Sequence, residues 1–300
     1  MQEAHEGAGV FGPFFDHSIP HISMITSVSR RQMVGLCLLC SVLVGMPVQA
    51  QSSRTITKEA DLDADGTVEV QVGAGSVRVT TWERSSVRAA VKITGESKKE
   101  IENVRVRMEG NARRVRIHTE GGSGGEGGLL ALFGFGGPSG PESHYTLQVP
   151  VTATLSVASE QAPVEVRGLK GEVTVEGSSS PVHLRNVAGD ITVATFSGSL
   201  EADGVRGGVT FATFSGDARV TLEPPLHGHE FASFSGSANI ILPADASFDL
   251  RTDFGWGGGL RSDFPLPDSS AQSDGTVSVA GGGPMIAFES FSGDLHLQAE

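Results

Sequence analysis

The sequence predicts an all-β fold, a single-chain β-solenoid of parallel β-helix-like type. Its coils would run about 18–20 residues, behind a less regular N-terminal β cap. Three observations predict it. A turn motif recurs as Thr195-Phe196-Ser197-Gly198, Thr213-Phe214-Ser215-Gly216 and Ser233-Phe234-Ser235-Gly236, with Ser180 holding the same place one step earlier, so the steps are 18, 18 and 20. A second marker keeps the same time: Leu169-Lys170-Gly171, Val187-Ala188-Gly189, Val205-Arg206-Gly207 and Leu226-His227-Gly228, with steps of 18, 18 and 21. Between the markers, apolar and polar residues alternate with the period of a strand. Forty glycines among 300 residues suit many tight turns.

Residues 1–50 read as a leader. Arg30-Arg31 precedes an apolar run from Met33 to Met46, which ends at Val48-Gln49-Ala50. Charge, length and small-residue cut site describe a signal peptide cleaved near Ala50. A run of 14 residues is short for a bilayer span, so no stable membrane anchor is expected after cleavage. Ser29-Arg30-Arg31-Gln32-Met33-Val34 has the look of a twin-arginine signal, but an ordinary basic n-region explains it better. Cys37 and Cys40 both lie in the leader, so the mature chain carries no thiol chemistry. Net charge is −13, of which −1 falls in residues 1–50, leaving −12. Such a chain, without a basic stripe, is ill suited to nucleic acid or anionic lipid.

Residues 51–300 form the proposed domain. Val68 to Val72 and Ser76 to Thr80 alternate as strands, with Gly73-Ala74-Gly75 turning between them. Val87 to Thr94 continues the pattern, and Lys98 to Asn103 is a charged turn or short helix. Val104 to Met108 and Arg113 to Thr119 alternate again, with a turn expected at Gly110-Asn111. These strands are either the first coils or a cap over the open end of the stack. A glycine-rich insertion, 121–141, carries an apolar centre from Leu129 to Phe135. It reads as an excursion folding back on the body, or as a mobile apolar tip that touches membrane or a partner. Tyr145 to Val149 and Thr154 to Ala158 resume the strands. In the repeats that follow, Val173, Val175, Val182, Leu184 and Val187 point inward, as do Ile191, Val193, Leu200 and Val205 in the next coil. A turn-rich stretch after Leu242 interrupts the rhythm. The motif returns at Phe291-Ser292-Gly293, 57 residues after Gly236, a gap close to three further coils.

The Phe-Ser-Gly turns, the Gly75-Ser76-Val77-Arg78-Val79-Thr80-Thr81-Trp82 opening and the ending from Gly281 through Asp294 resemble a bacterial family of β-strand-repeat domains of unknown function labelled "putative adhesin". The resemblance covers residue 54 to the C-terminus. It implies a parallel β-helix-like fold, export or envelope association, and a role in attachment or envelope maintenance. It brings no catalytic residues.

Phe196, Phe214, Phe234 and Phe291 are the candidate partner-binding residues. They share one position in four repeats and should stack as a ladder. If Ile191, Val193 and Thr195 point inward, Phe196 points outward and the ladder is an exposed stripe. A turn that begins early reverses the parity and makes the ladder core. Other clusters are weaker. Asp61, Asp63, Asp65 and Gly66 match half a calcium loop, but Val72 stands where a bidentate Glu belongs, and an acidic turn explains them better. His227 and His229 lack a third ligand nearby and read as exposed loop residues. Glu172, Asp190, Asp217 and Asp294 follow turn glycines irregularly, as a solvated turn ladder would. No catalytic, cofactor or metal site is assigned.

The reading is therefore an exported, non-enzymatic β-repeat protein, an adhesin or envelope scaffold, in the periplasm, at the cell surface or outside. Its partner would be an envelope protein or a surface glycan. Two alternatives stand beside it. One is a solenoid carbohydrate-active enzyme, for which one Tyr and two Trp supply few sugar platforms. The other is a periplasmic regulatory partner of an envelope protein.

Overall fold

The computed structural model describes residues 52–121, 140–266 and 275–300. The expected leader and the apolar centre of the glycine-rich insertion lie outside the described residues. β1 (Ser52–Asp61), β2 (Thr67–Val72), β3 (Gly75–Trp82) and β4 (Ser86–Gly95) precede a short helix, α1 (Lys98–Asn103). β5 (Arg105–Asn111), β6 (Arg114–Glu120) and β7 (Glu142–Pro150) follow. Then come β8 (Thr154–Ser159), β9 (Val164–Arg167), β10 (Val173–Gly177), β11 (Val182–Arg185), β12 (Ile191–Thr195) and β13 (Leu200–Val205). β14 (Val209–Thr213), β15 (Ala218–Leu222), β16 (His229–Ser233) and β17 (Ala238–Leu242) continue the series. β18 (Phe248–Phe254), β19 (Leu260–Ser262), β20 (Thr276–Val279), β21 (Met285–Ser290) and β22 (Leu295–Ala299) complete it.

The chain is all-β and forms two sheets of 11 strands each. The first runs β1-β4-β7-β3-β9-β11-β13-β15-β17-β22-β19, and the second β20-β18-β21-β16-β14-β12-β10-β8-β2-β6-β5. Each central repeat gives one strand to each sheet, so Gly73-Ala74 is a corner between sheets and not a hairpin. Successive repeats pair in parallel and in register. Val173 lies beside Ile191, Ile191 beside Val209, and Val209 beside His229. In the first sheet Val182, Leu200, Ala218 and Ala238 line up in the same way.

Alternate residues of each strand point inward and build one core. Val173, Val175, Val182, Leu184, Val187, Ile191, Val193, Leu200 and Val205 are all buried, as the alternation requires. The inward column of the second sheet swells to Phe211, Phe231 and Phe288, while the first sheet carries Ala202, Ala218 and Ala238 at inward positions. Large side chains on one sheet and small ones on the other let the core fill at constant sheet separation.

Both ends of the stack depart from sequence order. The layer β2–β3 lies between β6–β7 on one side and β8–β9 on the other. At the far end β21–β22 lies between β16–β17 and β18–β19. The gap of 57 residues therefore does not hold three coils. Gly293 sits in the layer directly on that of Gly236, and the stretch read as a turn-rich excursion includes the next layer out. Antiparallel strands finish each end: β4, β1 and β5 at one, β20 at the other. The N-terminal strands thus supply both layers and a cap. Lys98–Asn103 is the short helix, opened by a capping box between Ser97 and Glu100 and anchored by buried Ile101. The turn expected at Gly110-Asn111 falls instead at Ala112-Arg113, because the Asn111 side chain accepts the N–H groups of Arg113 and Arg114.

Candidate functional site

The repeated turn has a physical reason for each of its residues. The Thr or Ser that opens it accepts the N–H of the glycine three positions on: Thr195 from Gly198 at 3.0 Å, Thr213 from Gly216 at 3.0 Å, and Ser290 from Gly293 at 2.8 Å. The glycine is there because the layers meet at that corner. A Cβ on Gly216 would stand 1.9 Å from the Gly198 carbonyl oxygen, and one on Gly236 would stand 1.9 Å from that of Gly216. The second marker has the same cause, since a Cβ on Gly189 would lie 2.1 Å from the Gly171 carbonyl oxygen.

The phenylalanine of the motif points out. Phe196 is 61% exposed, and Phe214, Phe234 and Phe291 are 45–47% exposed. Thr195 and its equivalents turn toward the glycine, and the next side chain is left on the outer face. Of the two parities open from the sequence, the outward one holds. The rings form a continuous stack, with centroids 4.9, 4.8 and 4.9 Å apart and interplanar angles of 1°, 2° and 7°. That spacing is the distance between paired strands, so the backbone imposes it. Ala194 and Ala212 lie on the same outer face two residues earlier and are exposed too. The ladder ends where Gly255 takes the next place, with a Cβ there only 2.8 Å from the Phe291 ring. Trp256 follows at 83% exposure.

This arrangement restricts the chemistry. Each ring covers its neighbours' faces, so the stack offers ring edges to the outside. A sugar or a cation needs the face of an aromatic ring, which only the ends of the ladder present. What remains is an apolar stripe with a fixed pitch, made rigid before any partner arrives.

The other clusters resolve into structural roles. Asp190 accepts the Gly208 N–H at 2.8 Å, and Asp217 accepts the Ser237 N–H at 2.8 Å. Each carboxylate fastens one layer to the next, and the two stand at different corners of the repeat, so they do not form an acid–base pair. Asp217→Ala is expected to cost about 1 kcal/mol in urea unfolding without altering the circular-dichroism spectrum. In the acidic turn, Leu62 is buried while Asp61, Asp63 and Asp65 are exposed. Its backbone is tied by Asp63 N–H to the Ala112 carbonyl and Thr152 Oγ1 to the Ala64 carbonyl. Among the described residues no group of three His, Cys, Asp or Glu is placed to hold a metal.

His229 is not an exposed loop residue, contrary to the sequence reading. It is 4% exposed on β16, in the inward column of Val173, Ile191 and Val209. Its Nδ1 accepts the Val209 N–H at 3.2 Å, where the corresponding N–H of Ile191 donates to the Gly208 carbonyl. Nε2 is buried without a partner. Burial pushes its pKa down to about 4, His227 pushes the same way, and Asp190 opposes. Aligning the repeats would have shown this position to be core.

No family model matches the chain, and no curated protein matches it. Among solved structures it is similar to a "putative adhesin" from Bacteroides fragilis, at 12% identity over 83% of this chain and 98% of that one, with a TM-score of 0.40. It is similar to a "putative cell adhesion protein" from Clostridium sporogenes, at 9% identity over 83% and 100%, with a TM-score of 0.33. A "putative lipid binding protein" from Parabacteroides distasonis matches at 12% identity over 81% and 96%, with a TM-score of 0.31. Likeness this distant carries neither activity nor ligand across. The adhesin label met among these structures is the one to which the turn motif and the ending pointed.

Proposed function

We propose that the chain is an exported, non-enzymatic β-solenoid that docks on an envelope protein through the Phe196–Phe214–Phe234–Phe291 ladder. The solenoid reading is supported by parallel, in-register repeats that give one strand to each sheet. The export reading is supported by the leader pattern of residues 1–50. The observation that carries the docking reading is the ladder itself: four aromatic side chains held in the open, in register, where polar residues would cost nothing. An exposed apolar stripe on a folded chain marks an interface. The ring edges favour an apolar protein surface over a glycan at this place. Among the described residues no helix is long and apolar enough to cross a membrane. The non-enzymatic reading is supported by the engagement of Asp190 and Asp217 in fastening layers.

The test replaces Phe196, Phe214 and Phe234 with Ser together. The β circular-dichroism spectrum is expected to persist, because none of the three is core. Cosedimentation with cell envelopes is expected to fall about tenfold or more, as when central aromatic anchors are removed from an interface. Undiminished cosedimentation, or collapse of the β signal, would refute the docking role.

A further inference from the structure

A second face of the molecule carries a different chemistry. On the outside of the first sheet, His183, Glu201, Arg219, Asn239 and His296 stand in register on five successive strands. Beside them runs a groove of about 600 Å³, closed on its other side by the turn residues, Asp217 among them. Ala218 and Ala238 lie at its floor. A smaller cavity of about 170 Å³ adjoins it and shares His183, Glu201 and Arg219. It opens where the pairing of β13 with β15 slips between Ala202 and Val205, a bulge that carries Asp203 out of line. Bulges of this kind re-aim side chains next to binding sites.

The side chains in the groove are not used up by one another. His183 Nδ1 lies 3.0 Å from Glu201 Oε2, but Arg219 makes no ion pair among the described residues. Asn239 is half-buried, and its Oδ1 meets no donor. An acceptor left unmet in a groove wall becomes available to a ligand once the amide turns. Donors and acceptors alternate along the column, and charges of both signs are mixed within it. An anion would meet Glu201 and Asp217, and a cation would meet Arg219. A hydroxyl, which both donates and accepts, meets a partner at every step. The apolar residues that line the groove, Leu200, Ala218 and Ala238, are themselves buried, so the side chains that reach into it are the polar ones.

We propose that this groove binds a neutral polyhydroxylated chain, an extended oligosaccharide lying along the column. Successive strands bring a new polar side chain about every 4.8 Å, so a chain of sugars running across the strands is read residue by residue. Each contact is weak and their sum is selective. The site is separate from the phenylalanine ladder and does not rest on the docking role.

The experiment uses the purified protein with cellohexaose, chitohexaose and maltohexaose as probes, and polygalacturonate as the charged comparison. Binding is read by calorimetry and mapped by NMR. At least one neutral probe is expected to bind, with shifts at His183, Glu201, Arg219, Asn239 and His296. Arg219→Ala combined with Asn239→Ala is expected to weaken binding about tenfold or more, while Phe214→Ser leaves it unchanged. The shift map on the unaltered protein stands even if the double variant folds poorly. Failure of all three neutral probes to bind overturns the assignment. So do shifts confined to the ladder, and so does a preference for polygalacturonate.

Discussion

Gly216→Ala is expected to cost at least about 3 kcal/mol of folding stability, measured by urea unfolding, and to reduce the yield of β-rich soluble protein. The new Cβ would stand 1.9 Å from the Gly198 carbonyl oxygen and 2.8 Å from its carbon. Both are backbone atoms, and they cannot swing aside as a side-chain tip would. Relief requires the layers to separate, and separation breaks the ladder that joins Val209 to Ile191 and Ala218 to Leu200. Gly73→Ala is the matched control. A Cβ there first meets the Glu160 carboxylate at 3.6 Å, an ordinary contact, so the change is expected to be worth less than about 1 kcal/mol. Equal effects at the two positions would show that close approach of the layers is not what the motif glycine serves.

The second large effect is acid sensitivity. His229 titrates near 6.5 in the unfolded chain and is pushed down to about 4 in the folded one. Between those values the unfolded chain binds more protons, so stability rises with pH. The contribution of neutral His229 is complete above pH 6.5 and is lost as pH falls through 4. The whole step amounts to about 3 kcal/mol. His229→Val should remove that step, because Val matches the flanking Val209 and Ile286. It also strands the Val209 N–H, but that cost is the same at every pH and cancels from the difference in slope. Urea midpoints of the two proteins between pH 7.5 and 4 are the measurement. Parallel curves would show that His229 does not govern the acid response.

The repeat was legible because both of its markers report backbone contact. A glycine forced by a carbonyl oxygen in the adjacent layer recurs at 198, 216, 236 and 293, with Ser180 in that place one layer earlier. Inward aliphatic positions were legible for the same reason. The orientation of Phe196 was not, since parity depends on the residue at which the strand gives way to the turn. The side-chain hydrogen bond of Thr195 decides that, and alternation does not report it. Layer order at the two ends was hidden by the spacing of 57 residues, which is near a multiple of the repeat although it encodes a detour. His229 was misjudged from its polarity, while its column in the alignment carried the truer signal. The groove on the first sheet could not be read from the chain at all. Its residues lie 18 to 57 positions apart in steps, and only the register brings them into one line.

The out-of-order layers have a consequence for how the molecule comes apart. In a simple array each unit touches only its sequence neighbours, so the ends fray first and unfolding moves inward. Here the segment 285–299 is wedged between two layers made earlier in the chain, and at the opposite end β2–β3 is wedged between two layers made later. Neither outermost layer can peel off without disturbing a segment that is inserted out of sequence order. The stack behaves like a clasped book, in which the covers are sewn through the adjoining pages. Amide exchange at β18 and β22 should therefore be about as slow as at β12, and the molecule should lose its layers in one cooperative step.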